Sequence, residues 1–358
     1  MTTYLLAGGG TAGHVNPLLA VADRITQLDD TATALVLGTA EGLEARLVPD
    51  RGYELLTIAR LPFPRKLNRQ ALTFPRRFRE AVSLTRGIIR ERDVDVVVGF
   101  GGYASAPAYM AARAEGIPIV IHEANAKPGL ANRVGARFTK FVGVVFAGTP
   151  IAHASLVGMP LRYEVESLDK HAVRAEALAT FGFDGTKPIL LVTGGSSGAR
   201  HINQTIVDSV PTLLGSGWDV LHIAGGKAEI TDPGLDGYTL LKYCDQMHLA
   251  LAVADLAVSR AGAATVSEFA AVGVPAVYIP YPVGNGEQRH NVADVVGAGG
   301  GVIVADRDFT PAWVSSKLVP ILRDRALVAE MAAGAATVGS RDGADAFVSL
   351  VNSALAER

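Results

Sequence analysis

His14 closes a glycine turn, Gly8-Gly9-Gly10-Thr11-Ala12-Gly13-His14, that follows a short apolar run and opens a helix. A neutral imidazole, with an ordinary pKa of about 6.5, can take a proton from an attacking hydroxyl at physiological pH. The competing reading is a ring that only hydrogen-bonds its own loop. A second turn, Gly194-Gly195-Ser196-Ser197-Gly198-Ala199-Arg200, also follows an apolar run and lacks the histidine. Turns of this kind bring backbone N–H groups against a phosphate or sugar, because glycine accepts positive φ and has no Cβ in the way.

Further candidates sit at other strand and helix ends. In Gly262-Ala263-Ala264-Thr265-Val266-Ser267-Glu268, small residues precede a helix and a carboxylate follows in the expected first turn. Such a helix start offers amides to a diphosphate, and Glu268 can accept from both hydroxyls of a ribose or simply oppose the helix dipole. The loop Gly284-Asn285-Gly286-Glu287-Gln288-Arg289-His290-Asn291 is dense in hydrogen-bonding side chains, which suits a sugar and equally an ordinary surface turn. His122-Glu123-Ala124-Asn125 ends a strand, where His122 either orients a ligand or braces the loop. The other six histidines show no metal-ligand spacing, so no metal is expected.

The first turn matches the dinucleotide fingerprint literally as Gly8-x-Gly10-x-x-Gly13. Its acidic partner is poorly placed at Asp29 and Asp30, and Glu41, after the second strand, keeps a dehydrogenase reading open. Neither turn carries the lysine of a phosphate-binding P-loop.

These residues need strand ends to hold them. Thr3 to Ala7 reads as a buried strand and Pro17 to Leu28 as a helix with Pro17 near its first turn. Strands at 34–38, 94–99 and 117–122 alternate with helices such as 77–90. After Gly158-Met159-Pro160 the pattern restarts: a helix near 171–181, then strands at 188–193, 220–223 and 276–279. The segment 344–357 closes as an amphipathic helix with Phe347, Leu350, Val351 and Leu355 on one face. Apolar runs without polar alternation imply strands covered on both faces. The expectation is α/β, two Rossmann-like doubly wound parallel-sheet domains, with ligands beyond the carboxyl ends of the strands.

Length and composition agree with a globular chain of two domains: 358 residues, 49% hydrophobic. No run is apolar enough to span a bilayer, no basic leader precedes the apolar start, and a single cysteine, Cys244, permits no internal disulfide, so a cytoplasmic protein is expected. Net charge is −2, but residues 1–161 carry +5 and residues 162–358 carry −7. Arg60, Arg65, Lys66, Arg69, Arg76, Arg77 and Arg79 occur without an acidic residue among them, interleaved with Leu61, Phe63, Leu67, Leu72, Phe74 and Phe78. That mixture can dock on an anionic membrane surface, or form a solvated loop and an ordinary helix. Nucleic acid is not expected as a partner of a chain acidic overall.

Taken together these residues resemble the MurG family, bacterial cell-wall glycosyltransferases of the GT-B fold. The likeness runs through Gly9-Gly10-Thr11-Ala12-Gly13-His14 with Pro17, Gly101-Gly102-Tyr103, His122-Glu123-Ala124-Asn125, Gly158-Met159-Pro160-Leu161-Arg162 and Gly194–Arg200. Departures from the usual pattern fall at Ala12, Ala124, Met159, Ser197 and Glu287. The resemblance implies two domains facing a cleft, 1–161 on the acceptor and membrane side, with helix 342–358 packed back on it, and 162–341 as donor domain. It further implies inverting transfer of GlcNAc from UDP-GlcNAc to the muramyl 4-hydroxyl of lipid I, forming lipid II at the cytoplasmic face of the cell membrane. His14 would be the base or orient the acceptor. Thr11, Ser196, Ala264 and Thr265 would meet the diphosphate, Arg162 and the Cys244 backbone the uracil, Glu268 the ribose, and Asn125 and Gln288 the GlcNAc. Ala12, Gly13, Ala263, Val266 and Ser267 complete the donor set; Tyr103, Glu123 and Glu287 stand toward the acceptor. Phe63, Arg65, Lys66, Phe74, Arg76 and Arg77 would form a membrane patch, and no cofactor or metal is required. Three alternatives remain: another UDP-sugar transferase of the same fold, a UDP-GlcNAc epimerase, and a nicotinamide-dependent oxidoreductase.

Overall fold

Val, Ile and Leu runs bury on both sides only if helices cover both faces of a sheet, and two such sheets form here. A computed structural model describes residues 1–64, 69–195, 198–283 and 286–357. One unit comprises Met1–Arg162 with Arg341–Arg358, the other Tyr163–Ser340.

The first unit holds β1 (Thr3–Ala7), β2 (Thr33–Gly38), β3 (Glu54–Thr57), β4 (Val96–Gly99), β5 (Ile119–Glu123), β6 (Val142–Val144) and β7 (Ala154–Leu156). They run parallel in the order β3-β2-β1-β4-β5-β6-β7. Period-two alternation sends Tyr4, Leu6, Val96 and Val98 into one core and Leu5, Ala7 and Val97 into the other. Its helices include α1 (Ala12–Leu28), α2 (Glu44–Asp50), α3 (Arg69–Glu91), α4 (Ser105–Glu115) and α5 (Leu130–Gly135). The helix Gly343–Ala356 also belongs to this unit and seats Phe347, Val348 and Val351 in the core with Phe100 and Val120. Leu350 and Leu355, expected on its buried face, are only partly buried at the edge of that core.

The second unit holds β8 (Ile189–Thr193), β9 (Asp219–Ile223), β10 (Tyr238–Leu241), β11 (Ala254–Ser259), β12 (Ala276–Tyr278) and β13 (Gly301–Ile303). Their parallel order, β10-β9-β8-β11-β12-β13, repeats the 3-2-1-4-5-6 winding of the first sheet. In both sheets the chain reverses direction between the first and fourth strands, at β1/β4 and at β8/β11. The two glycine turns leave β1 and β8 at those switch points.

One boundary differs with consequence. α1 begins at Ala12, not Pro17, so His14 stands in its first turn and Pro17 lies inside the helix. Thr11 is the N-cap residue but makes no side-chain cap, and the first amides bond back to its carbonyl from His14 and Val15.

Candidate active site

Glu44, which the motif reading passed over, organises the first glycine turn. It is 1% exposed at the start of α2. Its Oε2 accepts from Gly10 N at 2.8 Å, while Oε1 accepts from Thr39 N at 3.0 Å and Thr39 Oγ1 at 2.7 Å. Burial alone would raise the carboxyl pKa, but these hydrogen bonds to the charged form outweigh it and leave it lowered. A Cβ at Gly9, Gly38 or Gly42 would fall 2.3, 2.6 or 2.0 Å from this side chain, so all three positions need glycine. Glu41, the acid that kept a dehydrogenase open, is exposed instead. With the Gly10 amide already donating to a carboxylate, this turn has given up a donor that a dinucleotide's diphosphate would use.

His14 Nδ1 lies 3.2 Å from the Gly9 carbonyl and 3.3 Å from Thr11 Oγ1. A carbonyl can only accept, so Nδ1 carries the hydrogen and Nε2 keeps its lone pair. The surrounding protein lowers the imidazole pKa below its ordinary value by desolvation, opposed in part by Glu123, the Gly9 carbonyl and Glu44. The ring is nonetheless partly accessible, through the pocket described below. A neutral base with an open Nε2 results.

The end of β5 is braced by buried hydrogen bonds. His122 is fully buried, with Nε2 3.3 Å from the Gly158 carbonyl and its ring centroid 5.0 Å from that of Phe347. Desolvation pushes its pKa down to about 4. Of its two expected roles, the structure shows the brace. Glu123 is also buried: Oε1 accepts from Asn125 N at 2.9 Å, and Oε2 from Gly129 N and Asn132 Nδ2, each at 2.9 Å. Asn132, absent from the sequence reading, further donates to His122 O and accepts from Tyr109 OH at 2.7 Å. The loop bearing Asn125 is thereby fixed from within.

A cavity of about 530 Å³ opens beside His14. Its lining includes the polar residues Thr11, His14, Tyr103, Glu123 and Asn125 and the apolar residues Leu61, Phe63, Phe74, Phe78, Pro107 and Leu130. Ala12 and Gly13 lie in the first turn of α1 and are not among its lining residues. Phe74 packs edge-on to Phe63 at 5.5 Å and stacks with Phe78 at 5.8 Å. Phe74 is therefore half-buried in the cavity wall, whereas Phe63 and Leu72 are exposed. Arg76 is exposed beside Glu80, and Arg77 donates to the Arg60 carbonyl. Arg65, Lys66 and Ser196 lie outside the described residues.

In the second unit, the helix after the glycine turn, Arg200–Leu214, and the helix after β11, Ala263–Ala271, are among those that start without side-chain caps. Their first N–H groups are the orphan donors that an anion satisfies. A Cβ at Gly198 would meet the Ala224 carbonyl at 2.4 Å, and one at Gly194 the Ala199 amide at 2.4 Å. Asn203 holds the same strand end, donating to Ala224 O at 2.9 Å and accepting from His222 Nε2 at 3.1 Å; His222 Nδ1 meets Tyr238 OH at 2.7 Å. Desolvation pushes the pKa of buried His222 down to about 4.

The helix start at Ala263 gathers Ala264, Thr265, Val266 and Ser267 in sequence, with Ala263 and Val266 buried and the other three half-buried. Glu268 is half-buried in the second turn, one turn later than expected, because the helix begins at Ala263. Gln288 Oε1 accepts from Ala261 N at 3.2 Å and Tyr281 N at 2.9 Å, tying the last loop to this helix start and turning its NH₂ to other use. Glu287 begins the short helix Glu287–Asn291, Cys244 is half-buried before Met247–Val253, and Arg162 ends the first unit.

Comparison with known proteins agrees with this geometry. Residues 4–144 match the glycosyltransferase family 28 N-terminal domain and residues 189–347 the glycosyltransferase family 28 C-terminal domain. The chain is 63% identical over 355 residues, 99% of each chain, to the "UDP-N-acetylglucosamine--N-acetylmuramyl-(pentapeptide) pyrophosphoryl-undecaprenol N-acetylglucosamine transferase" of Leifsonia xyli subsp. xyli. Crystalline Acinetobacter baumannii MurG superimposes with a TM-score of 0.78 at 27% identity, over 98% of this chain and 100% of that one. A Listeria monocytogenes putative UDP-N-acetylglucosamine 2-epimerase, at a TM-score of 0.71 and 12% identity over 100% and 98% of the chains, shares the fold alone. Two glycine turns on sheets of the same winding, with His14 in the cavity beside the first, thus belong to a GT-B member of glycosyltransferase family 28, in the MurG family.

Proposed function

We infer that this protein transfers GlcNAc from UDP-GlcNAc to the muramyl 4-hydroxyl of lipid I, with inversion, to give lipid II and UDP. The observation that carries the reading is His14, with Nδ1 committed to Gly9 and Nε2 left as a base at a cavity lined by both polar and aromatic side chains. The acceptor hydroxyl gives its proton to Nε2 as its oxygen attacks the anomeric carbon from the face opposite UDP. The bond from that carbon to the phosphate oxygen breaks, and UDP departs with the electron pair. Charge growing on that oxygen would be met by amides at the uncapped helix starts in the second unit. Thr11, Ser196, Ala264 and Thr265 are proposed for the diphosphate, Arg162 and Cys244 for uracil, Glu268 for the ribose, and Asn125 with the Gln288 NH₂ for the sugar.

Purified protein given UDP-GlcNAc and lipid I should release one UDP for each lipid II formed. Release with some other acceptor but none with lipid I would reject the assignment. Epimerised sugar formed without any acceptor would favour the epimerase reading instead.

Among the described residues no helix is long and apolar enough to cross a membrane. We propose peripheral attachment at the cytoplasmic membrane face, through exposed Phe63, Leu72 and Arg76 and half-buried Arg77. Each such cation is worth about 1 kcal/mol near an anionic surface. Replacing Arg76, Arg77 and Arg79 together by Ser should weaken binding to phosphatidylglycerol-containing liposomes by roughly tenfold or more. Unchanged binding would assign these arginines to solvent.

A further inference from the structure

We propose that Glu44 is a positioning residue for His14, acting through the Gly9–Gly10 peptide: its carboxylate accepts from the N–H of that peptide, while the carbonyl of the same peptide accepts from His14 Nδ1. The proposal rests on the reading of His14 as general base.

The arrangement places a carboxylate, one peptide unit and an imidazole in series. Asp and His stand in direct contact in a serine-hydrolase triad, where the carboxylate fixes the tautomer and supports the imidazolium. Here an amide lies between them and transmits both effects. A negative charge at its N–H end polarises the peptide and makes its carbonyl the stronger acceptor. That carbonyl holds the hydrogen on Nδ1.

Peptide orientation matters because Gly9 and Gly10 both have positive φ, at 155° and 89°. Two linked glycines rotate their shared peptide at little steric cost. Reversed, the peptide would aim the Gly10 N–H toward Nδ1, favouring the tautomer whose hydrogen sits on Nε2. That tautomer cannot accept the substrate proton. Glu44 opposes the reversal because its carboxylate requires a donor at that point.

A bare brace would not need this residue. The hydrogen-bond donors meeting Glu44 are all neutral: the backbone amides of Gly10, Thr39 and Glu44 itself, and the Thr39 hydroxyl. Burying a charge on neutral partners is costly, whereas a glutamine would supply one oxygen and two unwanted hydrogens. The glycines at 9, 38 and 42 make room for that carboxylate.

Glu44→Gln tests the idea in wild-type and His14→Ala backgrounds. With His14 present, kcat should fall on the order of tenfold while the KM for UDP-GlcNAc holds, the scale seen when a group that orients a functional imidazole is lost. With His14 absent, the same substitution should cost nothing further, since coupled groups are non-additive. An equal loss in both backgrounds would reduce Glu44 to a structural role. The acid limb of the kcat profile should also move to lower pH in Glu44→Gln, the other groups around the ring, Glu123, His122, Arg60 and Tyr103, being unchanged. ¹⁵N NMR of the wild-type protein should show His14 with its hydrogen on Nδ1, and Glu44→Gln should shift that population. A wild-type ring carrying the hydrogen on Nε2 would overturn the proposal. This measurement needs neither acceptor nor turnover, so it separates failure of the Glu44 link from failure of the transferase reading.

Discussion

His14→Ala is expected to lower kcat by about a hundredfold or more, the usual scale for losing a general base, with the KM for UDP-GlcNAc within a few fold. The donor groups proposed on the second unit do not depend on the ring, so binding should survive while proton removal does not. Wild-type kcat should hold on the acid side to below the ordinary histidine pKa of about 6.5, because burial keeps the imidazole neutral there. Steady-state kinetics of both proteins across pH measure the two effects together. A variant turning over at near wild-type rate would take the base role from His14.

Acid should destabilise both units through histidines that do no chemistry. His122 and His222 are each fully buried and held at about 4, mainly by desolvation. Unfolded, each returns to about 6.5. Because the folded value is the lower one, the unfolded chain binds protons first, and stability is lost as pH falls from about 6.5 toward 4. At about 1.4 kcal/mol per pH unit, each imidazole costs about 3 kcal/mol once pH reaches the folded value. Above pH 7 neither contributes. His122 reports on the first unit and His222 on the second, so urea titrations at pH 7.5 and 4.5 should be followed with a probe in each. His222→Gln should flatten the pH dependence of the second unit only. Equal slopes in variant and wild type would remove His222 as the source. Glu44 contributes in the same direction at lower pH, since its folded carboxyl is lowered and its stabilisation fades on protonation.

Central strands were legible because their residues are apolar on both faces: 3–7 and 188–193 read almost as they fold. Edge strands gave little signal, since β7 is wholly exposed and β3 alternates weakly over four residues. β11 is central yet was missed. Its alanines continue from Met247–Val253, and Asp255 is a poor strand residue by type that Arg174 holds there by donating to its carboxylate. His14 announced itself by ending a glycine turn. Glu44 did not, because its meaning lies in Gly10, thirty-four positions away, and in glycines that make room for it. Asn132 was hidden likewise, its side chain binding Glu123 and Tyr109 across separate elements. Spacing along a chain reveals residues that act on neighbours, while contacts closed by folding stay silent.

Phe347, wholly buried among Phe100 and His122, gives the protein an order of assembly. The first unit is begun by residues 1–162 but its core is filled by Gly343–Ala356, so on the ribosome that unit stays unfinished while Tyr163–Ser340 is made. The middle of the chain can mature before its beginning. During that interval the face awaiting Phe347, Val348 and Val351 is open apolar surface, the condition in which a nascent protein most needs a chaperone.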